Sequence, residues 1–157
     1  MKFIASIIWI SLFLALPSPT QQAKGWHGIV PLHSSRSDIE RLLGSSTDPC
    51  RCLYKRKNEI IHVVYSKQTC KDDPRGWDVP PDTVLLINIS LKTEVPIADL
   101  KLDLTKYQKT DNKLSPGMSF YTRDDGGTFI IVTGKNEMVG SINYQPTKDD
   151  EKRYRCH

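Results

Sequence analysis

The chain has 157 residues, 38% of them apolar, and a formal net charge of +4 from 22 Lys and Arg against 18 Asp and Glu. That length suits one domain rather than several. The charges are mixed along the chain, and its basic cluster, Lys55-Arg56-Lys57, has no aromatic interleaving, so composition argues against a nucleic-acid partner.

Met1-Lys2 leads into FIASIIWISLFLAL, a run of fourteen residues from Phe3 to Leu16 without a charge. One basic residue, an apolar stretch and an exit through Pro17, Ser18, Pro19 and Thr20 form the pattern of a secretory signal peptide. A helix of that length reaches about 21 Å, short of the roughly 30 Å of bilayer hydrocarbon. The expected organisation is therefore a signal peptide over 1–20 and one exported domain over 21–157. Cleavage falls after Thr20 or, alternatively, after Ala23. The first cysteine is Cys50, too far along to carry a lipid at the cleavage site. The product is expected in the periplasm or outside the cell.

The stretch GIVPLHSSRSDIERLLG, residues 28–44, sets His33, Ser34 and Ser35 ahead of an amphipathic run. Ile39, Leu42 and Leu43 are helix-spaced, and Gly44 stands where a helix takes a left-handed residue. Ser35 is expected as the N-cap, accepting the amide of Asp38, whose charge suits a helix N-terminus. Ser37 with Glu40 is the alternative capping box, shifted by two residues at the cap. Either way a serine hydroxyl is used in capping. A nucleophile would need a base in reach and an oxyanion hole, and sequence adjacency to His33 supplies neither.

Four cysteines, Cys50, Cys52, Cys70 and Cys156, suggest two disulfides in an exported chain. Alternate strand residues face apart, so a Cys50–Cys52 bridge is expected to be strained. The leading scheme is Cys52–Cys70 with Cys50–Cys156, and the swapped scheme stays open. A loop of 19 residues closed by Cys52–Cys70 would be worth roughly 3 kcal/mol in the chain-entropy model. A metal held by these thiolates and His157, or a redox dithiol, is the functional alternative, although paired Cys-x-x-Cys spacing is missing.

Further along, 51–54 and 60–65 read as hairpin arms about Lys55 to Asn58. His62 falls in the second arm, as a half-exposed strand residue. The prolines, glycine and charges of KDDPRGWDVPP make 71–81 a loop, with Trp77 as its packing anchor. TVLLINISL, residues 83–91, is the strongest strand, with Leu85, Ile87, Ile89 and Leu91 on one face. Its Asn88-Ile89-Ser90 is a glycosylation sequon in an unsuitable place. Residues 96–107 stay open between helix and strand. Residues 119–122 and 128–132 flank Arg123-Asp124-Asp125-Gly126-Gly127, a hairpin turn lacking the spaced acids of a calcium loop. A second turn at 134–137 leads to a strand over 138–144, completing a three-stranded meander. The tail KDDEKRYR alternates in charge.

GIVPLHSSRSDIERLLG with the hairpin after it, residues 28 to about 65, resembles SmpA/OmlA (BamE-like) and β-lactamase-inhibitor-like modules, in which a capped helix ending in Leu-Gly precedes antiparallel strands. BamE-like proteins carry a lipid-bearing cysteine that this chain lacks, so their assembly role is not implied. GWHGIVPLHSSRSDIERLLG, YSKQTC, GWDVPPDTV, LKLDLTKY and INYQPTKDDEKRYRC resemble an uncharacterised family of exported proteins of acidobacterial type. That resemblance spans nearly all of 21–157. It implies export from a bacterium and offers no activity or catalytic residue to carry over.

The expected fold is α+β, with one main helix packed on an antiparallel sheet built from hairpins and a meander. The expected function is a non-catalytic binding or envelope-associated module without cofactor or metal, engaging a protein or envelope partner. A small secreted enzyme of hydrolase type is the alternative. His27, His33, His62 and His157 are scattered, with no catalytic motif around them.

Overall fold

The computed structural model describes residues 25–48, 52–68, 70–71 and 74–157. The signal peptide, both cleavage positions and Cys50 lie outside the described residues. In chain order the elements are α1 (Arg36–Leu43), β1 (Leu53–Lys55), β2 (Glu59–Tyr65), β3 (Val84–Pro96), β4 (Tyr107–Asp111), β5 (Met118–Arg123), β6 (Thr128–Thr133), β7 (Met138–Tyr144) and α2 (Lys148–Tyr154). All seven strands join one antiparallel sheet in the order β1-β2-β3-β7-β6-β5-β4.

The expectation of one main helix on a sheet is corrected by this architecture. Among the described residues the fold is a seven-stranded sheet with two short α-helices, of eight and seven residues. Of α1, Ile39 is fully buried and Leu43 packs half-buried against the same cluster while Leu42 is 39% exposed, so the helix offers the core a narrow contact rather than a full apolar stripe. Residues 97–106 form neither of the two structures expected of them. Ile97–Leu100 and Leu104–Lys106 are 3₁₀ turns. They press Ile97, Leu100, Leu102 and Leu104 onto the sheet.

Period-2 alternation explains the strands. Ile61 of β2, Ile89 of β3, Ile142 of β7, Ile130 of β6 and Tyr121 of β5 pair in one continuous row. Both core clusters lie on this face. Trp26, Ile29 and Ile39 cover one half, and the 97–104 segment covers the other. A bulge between Val64 and Tyr65 sets Tyr65 opposite Val84. Val84 is therefore the fully buried residue at the start of β3, and Leu85, expected inward, is half-buried.

The tail expected to be merely charged is α2, capped by Thr147 with Asp150 and carrying three acids in its first turn and Lys152 and Arg153 in its last. Beyond it the chain pairs with the loop before β3. The Asp78 amide donates to the Tyr154 carbonyl at 2.8 Å, and the Cys156 amide to the Gly76 carbonyl at 3.2 Å. This pairing brings Cys156 to Cys70, and the two are joined as a disulfide. Both expected schemes are overturned, since each gave Cys70 and Cys156 to the Cys50/Cys52 pair. The bond also removes two thiolates from the metal alternative. Trp77 anchors this corner, half-buried beneath the Arg155 guanidinium at 4.6 Å from its ring.

Candidate functional site

Ser35 is the N-cap of α1, in a capping box with Asp38. The Asp38 carboxylate accepts from the Ser35 amide and from its hydroxyl, both at 2.8 Å. The amide of Ser35, with the hydroxyl and then Arg41, holds the Asp38 carboxyl below its ordinary range. Ser34 is buried, and its Oγ accepts the Val30 amide at 2.9 Å. His33 turns to the other helix: its Nε2 lies 3.1 Å from Asp150 Oδ1, and its ring meets Tyr154 edge-on. Burial raises the Asp150 carboxyl, but the Thr147 hydroxyl and amide and His33 outweigh it, leaving the group lowered. The His-Ser-Ser sequence thus locks a loop, a cap and the two helices.

A groove of about 410 Å³ lies where α1 meets the outer edge of β2. Arg36 heads it. Its Nε donates to Asp82 Oδ1 at 2.9 Å, its Nη1 approaches Cys52 Sγ at 3.7 Å, and its guanidinium covers the Tyr65 ring at 4.1 Å. Asp82 raises the guanidinium pKa against the opposing effect of burial. The Tyr65 phenol is pushed well up, first by burial and then by its bond to the Tyr54 phenol at 3.1 Å. It stays protonated at any physiological pH and cannot serve as a base. Cys52 reaches this place with φ +51°, in the left-handed region that favours glycine. His62 borders the same groove, so the structure brings Cys52 and His62 together. His27 and His33 lie instead at another hollow, beside Arg41.

The face of the sheet away from both core clusters carries a different row. Leu53, His62, Asn88, Asn143, Phe129, Thr122 and Gln108 pair successively across all seven strands. Gln108 is exposed and the other six are half-buried. Asn88 Nδ2 donates to Asn143 Oδ1 at 2.7 Å, which uses the sequon asparagine in a cross-strand bond. Phe120 and Phe129, diagonal neighbours on β5 and β6, stack with ring centroids 5.0 Å apart. Sequence reasoning missed this aromatic pair. Its signal was the alternation in MSFYTR and TFIIVT, but the pairing needs the register fixed by the intervening turn.

No family model matches the chain, and no curated protein does. A solved structure, that of the DUF4309-family protein YjgB from Bacillus subtilis subsp. subtilis str. 168, is similar. The TM-score is 0.48 with 15% identity, over 77% of this chain and 84% of that one. A likeness so distant carries no argument about family or activity. Among the described residues no helix is long and apolar enough to cross a membrane.

Proposed function

We propose that the protein is a non-catalytic binding module, exported to the periplasm or beyond and associated with a protein of the envelope. Its kinship with exported proteins of acidobacterial type belongs to the same proposal. The observation that carries the reading is the sheet face turned away from both core clusters, where, among the described residues, the Phe120–Phe129 stack sits half-buried among amide and hydroxyl side chains. Rigid aromatic rings with polar neighbours supply contact area at small entropic cost. Export is supported by the charge-free run Phe3 to Leu16 and by the Cys70–Cys156 disulfide, a bond suited to oxidising compartments. The test is co-sedimentation of purified protein with native envelope fractions. Phe120→Ser/Phe129→Ser is expected to abolish retention while circular dichroism and thermal unfolding still report a folded sheet. A folded double variant retained like wild type contradicts the proposal.

The hydrolase alternative draws on one observation, the His33–Asp150 pair. It predicts hydrolysis of a simple ester substrate that His33→Ala removes. Equal turnover by the two proteins eliminates it.

A further inference from the structure

One row of the core face is polar where its neighbours are aliphatic. Tyr107 on β4 pairs with Arg123 on β5, and Thr128 on β6 pairs with Tyr144 on β7. Together with Leu102 and Lys106 they line a cavity of about 180 Å³ between the 3₁₀ segment and the sheet. Thr128 is 2% exposed. Among the described residues, Thr128 Oγ1 and Arg123 Nη2 are the buried side-chain polar atoms that have no hydrogen-bond partner. Each such atom has given up water without gaining a partner unless something completes it.

The guanidinium is held ready. Its Nε donates to Asp125 Oδ1 at 2.8 Å, and the same oxygen accepts the Gly127 amide at 2.8 Å. A Cβ at residue 127 would stand 2.9 Å from Arg123 Nη2, so the glycine makes room for it. Burial raises the Tyr107 phenol, with the Arg123 guanidinium and then the Thr128 hydroxyl beside it working the other way, and burial raises the Tyr144 phenol, so both remain protonated. Lys106 stands at the rim, 3.3 Å from Asp103, whose carboxylate is also bonded by the Thr105 hydroxyl.

We propose that this cavity is a binding site for a small carboxylate, whose oxygens accept from Arg123 Nη2 and Thr128 Oγ1. The open Arg123 Nη2 can only donate, the Thr128 hydroxyl beside the Tyr107 phenol can turn its proton into the cavity, and the lining acid, Asp103, is already engaged, so the complementary ligand is an acceptor. A planar carboxylate fits a guanidinium edge better than a spherical anion does. At roughly 30 Å³ for each water-sized group, the cavity holds about six non-hydrogen atoms, an acid of about two to four carbons. The Tyr107 and Tyr144 rings and Leu102 would take its apolar end. The site lies on the opposite side of the sheet from the Phe120–Phe129 stack and does not rest on the binding-module reading.

Titration calorimetry and amide NMR shifts of the intact exported protein with acetate, propionate and butyrate test it, with phosphate and chloride as controls. Saturable carboxylate binding is expected, with shifts centred on residues 123–128. Thr128→Val, which keeps the side-chain shape, should weaken binding about tenfold, and Arg123→Lys should weaken it at least as much. A folded Thr128→Val protein that binds like wild type overturns the proposal. So does equal binding of phosphate or chloride, or the lack of saturation up to about 20 mM ligand, which would assign the cavity to water.

Discussion

Asp38 and Asp150 act alike at the starts of the two helices, each taking the amide and hydroxyl of its own N-cap residue. Both carboxyls sit below their ordinary range in the folded chain. The stability they contribute is therefore complete above the unfolded carboxyl value and is lost as pH falls through the folded one. The urea midpoint should hold steady on acidification to about pH 5 and drop below about pH 4. The variant Asp38→Asn/Asp150→Asn should start lower and fall less steeply. A variant with the wild-type acid slope would contradict the assignment. Ser35→Ala should cost about 1 kcal/mol through the same cap. Ile39→Ala should cost more, about 2–5 kcal/mol, because it is the fully buried side chain of α1, at 0% exposure, with only half-buried Leu43 beside it. Denaturant unfolding ranks the two, and equal costs would mean that α1 is held by its ion pairs rather than by packing.

Among the elements, the hairpins were legible because each carries its own signals. GIVPLHSSRSDIERLLG holds a cap and a stop, and RDDGG holds the turn that fixes β5 against β6. What was not legible is what depends on distant pairing. The 97–106 segment has both periodicities, and it is the sheet beneath it that settles it as 3₁₀ turns. The tail is a helix capped by Thr147 and Asp150, a pair readable in QPTKDDEKRYR, whereas its alternating charges and lack of an apolar stripe give no helical period. The disulfide follows from where α2 ends, which local reasoning about strand faces could not supply. Because Cys70 and Cys156 are 86 residues apart in sequence, breaking their bond frees a long loop in the unfolded chain. Cys70→Ser/Cys156→Ser should lower stability by about 2–5 kcal/mol. Non-reducing peptide mapping should recover Cys70 linked to Cys156, and a Cys52–Cys70 peptide would contradict the fold of the tail.

As a whole, the molecule is a sheet with unlike faces. One face is closed by Trp26, Ile29, α1 and the leucines of the 3₁₀ segment. The other, half-buried among the described residues, runs from Leu53 to Gln108 through a row of amides, a histidine and a phenylalanine. The site itself was only partly legible. Strand alternation separates the two faces, but which residues meet on the second depends on strand order, with β7 inserted between β3 and β6. The measurement that most directly tests the account is hydroxyl-radical footprinting of the protein alone and bound to native envelope. The account predicts that oxidation of Phe120 and Phe129 falls on binding while Trp77 and Tyr154, at the disulfide corner, are unchanged. Unaltered oxidation of the two phenylalanines in envelope-bound protein would contradict it.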